Sequence, residues 1–190
     1  MKNIAIFASG SGTNAENIIK YFSNRDSAKV CLVLSNRRDA YVLKRAATLG
    51  VPSVFFDRKD FSDNGRVLKL LREHEVDFIV LAGFLWLVPS GIIDVYANRI
   101  VNIHPALLPD YGGKGMYGDR VHEAVIKSGD KQSGITIHYV NNNYDEGDII
   151  FQASCPVLEG DSPAELASRV HALEYMHFPV VIEDLVSRLP

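Results

Sequence analysis

Cysteine is scarce in this chain, long apolar runs are missing, and neither sign of charge prevails: two cysteines, and 20 lysines and arginines against 23 aspartates and glutamates, in 190 residues. Each shortage excludes something. Cys31 and Cys155 sit in the apolar runs KVCLVLS and ASCPVL with no C-x-x-C or Cys/His spacing, which argues against a disulfide framework or a zinc site. Buried thiols in a reducing cytoplasm are expected instead. No stretch approaches the roughly 20 apolar residues that span a bilayer, and the apolar run in the opening MKNIAIFASGSGTN is too short for a signal-peptide core. A net charge of -3 argues against a broad nucleic-acid footprint but leaves room for a local phosphate site. No serine lies in G-x-S-x-G, and neither cysteine has an electropositive setting, so covalent catalysis has no support.

What is present is a regular alternation. Asn3 to Ala8, Val30 to Leu34, Val54 to Phe56, Phe78 to Ala82 and Ile100 to Ile103 read as short apolar strands. Apolar residues at helical spacing fall between them: Ala15, Ile18, Ile19 and Phe22; Val42, Leu43, Ala46 and Ala47; Val67, Leu68 and Leu71. Such alternation predicts β-α-β units, a mostly parallel sheet and helices on both faces, in a single domain over 1–190. After Asn102 the pattern changes. IHPALLPDYGGKGMYG holds two prolines and four glycines in sixteen residues and reads as a functional loop. A short helix is predicted over Arg120 to Lys127. Gly134 to Val140 and Ile149 to Val157 follow as an antiparallel hairpin around NNNYDEGD. Ser162, Pro163 and Glu165 carry the signature of a capping box and predict the start of a long C-terminal helix.

Three segments carry chemistry. SGSGTN (Ser9 to Asn14) joins the first strand to the first helix, where glycines admit an anion close to the backbone and free N–H groups, with Thr13 and Asn14, offer donors to phosphate. The same letters also serve a tight βα turn with an Asn or Thr cap. The missing P-loop lysine argues against an ATPase. NIHPALLP (Asn102 to Pro109) ends the fifth strand, where α/β sheets place ligands. Asn102 and His104, two apart on an extended segment, face one side: an amide donor for a developing oxyanion and an imidazole that exchanges protons near neutrality. A structural histidine at a strand end gives the same pattern. Asp145, in the hairpin loop, is expected over the same edge of the sheet, where a carboxylate raises the pKa of an imidazole and positions water. With Glu146 and Asp148 it equally suits a solvated turn. These carboxylates lack EF-hand spacing and a His or Cys partner, so no metal is expected.

In order, the residues resemble the phosphoribosylglycinamide formyltransferases, a folate-dependent family of purine synthesis. IAIFASGSGTN resembles its phosphate loop, VLSNRRDAYVLKRAATLGVP its second strand and helix, FIVLAGFLWLVP its folate-binding strand, and VNIHPALLP its catalytic strand. GITIHYVNNNYDEGDIIFQASCPVLEGDSPAELASRVHALEYMHFP completes a match over nearly the whole chain. The resemblance implies a Rossmann-like formyltransferase fold with Asn102, His104 and Asp145 catalytic. It implies Gly12, Thr13 and Asn14 on the substrate phosphate and Glu174 on the ribose. Leu85, Trp86, Leu87, Val88, Asn102, Asn141, Asn142, Asn143 and Tyr144 would contact the folate. The implied co-substrate is 10-formyltetrahydrofolate, without metal, nucleic acid or membrane, and the implied assembly is a monomer or homodimer. His138 ranks behind these, with a packing or surface role expected.

The sequence departs from the family in places. Leu85-Trp86 replaces Met-Arg after GF, Asn64 stands where an arginine can contact the folate tail, and Ala106 replaces the serine of the catalytic strand. Lys114 lies in a loop, DYGGKGMYG, that is glycine-rich in its own way. Trp86 admits two readings, stacking on the folate ring or packing at the strand end. Alternative acceptors are those of the methionyl-tRNA and amino-sugar formyltransferases. The first would need a further C-terminal domain, and the second would not be expected to carry SGSGTN.

Overall fold

The computed structural model describes all 190 residues. Its strands are β1 (Lys2–Phe7), β2 (Ala28–Ser35), β3 (Ser53–Phe55), β4 (Phe78–Leu81), β5 (Ile100–His104), β6 (Gln132–Tyr139) and β7 (Ile149–Pro156). They form one sheet in the order β3-β2-β1-β4-β5-β6-β7. The first five strands pair in parallel, while β5–β6 and β6–β7 pair antiparallel. The helices are α1 (Thr13–Phe22), α2 (Tyr41–Thr48), α3 (Arg66–Glu73), α4 (Ser90–Val95), α5 (Asp119–Ser128) and α6 (Pro163–Ser187). The expected α/β sheet, mostly parallel with a C-terminal antiparallel hairpin, is the one observed. None of the helices is long and apolar enough to cross a membrane.

Alternate residues of β1, β2 and β4 feed opposite cores, as a period of two requires. Ile4, Ile6, Val33, Phe78, Val80 and Val101 pack with Ile18 of α1, Val42 of α2 and Phe178 of α6. Ala5, Phe7, Leu32, Leu34, Ile79 and Leu81 pack with Val67 and Leu71 of α3 and Ile92 of α4. Burial on both faces explains why the early strands read as unbroken apolar runs. The second core ends at Ile100, and beyond it this face carries Asn102, Thr136 and His138, covered by loops. The site therefore begins where helix cover stops.

Two local expectations hold at the level of atoms. Ser162 Oγ accepts from the Glu165 N–H and the Glu165 carboxylate accepts from the Ser162 N–H, closing the capping box that starts α6. Cys155 is buried, but Cys31 is only partly so, its thiol reaching the Ile4 carbonyl. A residue on the solvent-leaning stretch of a long strand does not follow from an apolar run alone.

Candidate active site

The strand order reverses at β1: β2 lies on one side and β4 on the other, and the carboxyl ends of these strands frame a cleft of about 570 Å³. This switch point is where open α/β sheets bind ligands. Ser9, just past β1, ties the three strand ends together. Its N–H donates to the Gly83 carbonyl, its hydroxyl to Asn36 Oδ1 at 2.7 Å, and it accepts from the Leu85 N–H at 3.0 Å.

The next residues turn into α1. Gly12 caps the helix at φ 77°, and a Cβ there would lie 2.3 Å from Val42 Cγ2, so both the turn and the close packing on α2 demand glycine. The start of α1 opens into the cleft with no side chain capping it. Asn14 points its Nδ2 at Glu174 of α6, 2.8 Å away, and its Oδ1 is buried without a partner. Glu174 is 4% exposed and accepts also from His171 Nδ1 at 2.9 Å. The hydrogen bond to Glu174 raises the pKa of His171. Glu174, expected as a ribose contact, thus sits beside the expected phosphate loop although 160 residues separate it from Asn14.

At the other end of the cleft stand Asn102, His104 and Asp145. Asp145 reaches back from the hairpin loop with φ 55° and meets both strand residues. Its Oδ2 lies 3.5 Å from His104 Nδ1 and accepts from the Gly113 N–H at 2.9 Å; its Oδ1 lies 3.4 Å from Asn102 Nδ2 and 3.6 Å from His138 Nε2. Burial pushes the Asp145 carboxyl up, but its polar neighbours, among them the Gly113 N–H, outweigh it and hold the group below the usual carboxylate range. His104, 4% exposed, moves the other way from the expectation that a neighbouring carboxylate raises its pKa. Burial lowers it, and Asp145 and the Tyr111 carbonyl offset that only in part. The ring rests neutral at pH 7.

His138 departs from its expected packing or surface role. It is 2% exposed, pairs across the antiparallel ladder with Asn102, and its Nδ1 faces the Tyr139 carbonyl at 2.8 Å. Nδ1 therefore carries the proton, and Nε2 accepts from Asn102 Nδ2 at 3.0 Å. The alternation ITIHY held the signal, since it puts His138 on the polar face, but only the register with β5 brings it to Asn102.

A second cavity, of about 50 Å³, shares Asn102, Tyr144 and Asp145 with the cleft. Trp86, Leu87, Val88 and Asn143, all expected folate contacts, line it, whereas Leu85 faces the larger cleft. Asn141 and Asn142 line neither: Asn141 Oδ1 accepts from the Asn143 N–H within the turn. Trp86 packs against Phe56, Phe61 and Phe84 and lies under the Arg58 guanidinium, 3.9 Å from its ring centroid. Asn64 is exposed away from both cavities, and Lys114 is exposed on the rim of the cleft.

Sheet order, switch-point cleft and glycine turn define a doubly wound α/β protein of the Rossmann-like class. The chain belongs to the formyl transferase family, whose profile matches residues 2–182. It is similar to the chloroplastic phosphoribosylglycinamide formyltransferase of Arabidopsis thaliana, 40% identical over 187 residues, which cover 95% of this chain and 64% of that protein. The chain thus spans less than two thirds of that relative. The phosphoribosylglycinamide formyltransferase of Haemophilus influenzae is 39% identical, with 96% and 86% covered. The crystal structure of the enzyme of that name from Anaplasma phagocytophilum superposes with a TM-score of 0.90 at 35% identity, covering 98% of this chain and 87% of that one.

Proposed function

We propose that this protein transfers a formyl group from 10-formyltetrahydrofolate to the amine of 5'-phosphoribosylglycinamide, a step of purine synthesis, as a single cytoplasmic domain acting on small molecules. The observation that carries the reading is one continuous cleft with an open helix N-terminus at one end and Asn102, His104 and Asp145 at the other. Backbone N–H groups from Gly12 to Asn14 bind the phosphate, and Glu174 accepts from the ribose hydroxyls. The donor's ring system enters beside Trp86 and Tyr144, at the smaller cavity that opens onto Asp145.

The neutral amine attacks the formyl carbon, a C–N bond forms, and negative charge gathers on the formyl oxygen. Asn102 supplies an N–H to that oxygen. Of its two amide hydrogens, the one directed at Asp145 spans 3.4 Å and is the weaker bond, so it is the one released to substrate. His104 rests neutral and becomes more basic as the oxyanion develops, so it takes a proton during the step rather than before it. Asp145, ionised throughout, holds the water through which the proton shed by the amine reaches His104, and His104 passes that proton to the folate nitrogen as the bond from this nitrogen to the formyl carbon breaks and the formyl C=O re-forms.

The test is steady-state transfer from 10-formyltetrahydrofolate, with phosphoribosylglycinamide and an amino-sugar nucleotide as rival acceptors. Turnover is expected with the first. Turnover with only the second, or binding of both substrates without transfer, overturns the proposal.

A further inference from the structure

A single tripeptide touches both members of the His104–Asp145 pair. The Tyr111 carbonyl accepts from His104 Nε2 at 2.7 Å, and two residues on the Gly113 N–H donates to Asp145 Oδ2 at 2.9 Å. Between them Gly112 is closely packed: a Cβ would lie 2.6 Å from Leu108 Cδ2, forcing that side chain to shift, and 3.4 Å from the Cβ of Asp145. Tyr111 stands at φ 55° and Gly113 at φ 93°. A tyrosine enters that left-handed region only against a steric cost, so the surroundings must hold it there. They do so at two points. The ring packs against the core that contains α6, and the phenol sits between Ser128 Oγ, 2.5 Å away, and the Asp130 carboxylate, where α5 leads into β6.

The polarity of the two contacts decides where the protons are. A carbonyl oxygen only accepts, so Nε2 of His104 carries hydrogen in both protonation states of the ring. The exchangeable proton is then the one on Nδ1, which faces Asp145 Oδ2 at 3.5 Å. Without the carbonyl, a neutral imidazole beside a carboxylate would place its single hydrogen on Nδ1 instead. The Gly113 N–H, for its part, keeps that carboxylate ionised, so the proton stays on the Nδ1 side of the pair when the ring is charged.

We propose that Tyr111, Gly112 and Gly113 form a positioning clamp that locks His104 as its Nε2–H tautomer and confines its exchangeable proton to the Nδ1–Asp145 edge. The significance of that proton for turnover rests on the formyl-transfer reading; the tautomer does not. The test is ¹⁵N NMR of histidine-labelled protein without substrate, across the His104 titration, the His104 signal being the one absent from His104→Gln. Wild type is expected to deprotonate to the Nε2–H form alone, and Tyr111→Phe, which frees the ring from Ser128 and Asp130, to a mixture containing Nδ1–H. The same variant should lower kcat about 10-fold and shift its pH profile while both KM values hold, and Gly112→Ala should lower kcat about 100-fold. An Nδ1–H tautomer in wild type, or an unchanged tautomer and pH profile in Tyr111→Phe, overturns the clamp. If wild type transfers no formyl group but shows the locked tautomer, the function falls and the clamp stands.

Discussion

The two ends of the cleft are built by different means. The acceptor end is local: glycines and the first turn of α1 present backbone donors, and one distant side chain, Glu174, closes it. The reaction end is assembled from β5, its following loop, β6 and the hairpin tip, with Asn102 and Asp145 43 residues apart. A backbone cradle tolerates changes of side chain but not of shape. A side-chain cluster tolerates neither a change of chemistry nor the loss of the backbone groups that hold it, because each member is held through another.

The largest effect that would sharpen this contrast is on kcat. Asn102→Ala and His104→Ala should each fold and lose about 10²- to 10³-fold in kcat, measured under saturating substrates, since the first removes the N–H that meets the developing oxyanion and the second the base that takes up the amine's proton. Near-wild-type turnover in both would put the chemistry elsewhere. At the acceptor end Glu174→Gln should instead raise the acceptor KM about 10-fold and leave kcat nearly unchanged, because it weakens hydrogen bonds made equally in the ground and transition states. Gly12→Ala is the test of shape: contact with Val42 and the positive φ should cost about 1–3 kcal/mol in denaturant unfolding. Stability unchanged by that substitution would mean that the loop yields.

The smallest predicted effect concerns pH. His104 and His122 have folded-state pKa values lowered by burial, so folding resists their protonation and stability is lost as pH falls below the unfolded value of 6.5. His171, raised by Glu174, acts with opposite sign: its contribution is full at low pH and fades as pH rises through its folded pKa. Two groups against one predict a melting temperature about 2–5 °C lower at about pH 5.5 than at about pH 7.5. A flat profile would mean that the buried rings charge without penalty.

Legibility in the sequence follows the same divide. The strands read correctly to within a residue or two, the central ones most plainly because β1, β2 and β4 are buried on both faces, and SGSGTN declared its turn because glycine spacing is a local signal. Asn102 and His104 could be paired because period two puts them on one face. His138 could not be promoted, since its place beside Asn102 depends on strand register, and α4 lacked a long enough periodic pattern to be named. Nothing in DYGGKGMYG announces that its second residue offers a carbonyl to one catalytic candidate and its fourth an N–H to the other. The direction of the His104 shift was missed for a related reason: the carboxylate partner is visible in the sequence pattern, but the depth of burial is not.

The measurement that bears most directly on a cleft joining phosphate cradle to carbonyl chemistry is kcat/KM for formyl transfer to phosphoribosylglycinamide against its dephosphorylated form. Charge-assisted hydrogen bonds from the start of α1 predict a preference of about 100-fold for the phosphorylated acceptor, shrinking when Asn14 is replaced by Ala. Equal kcat/KM values for the two acceptors would contradict the account.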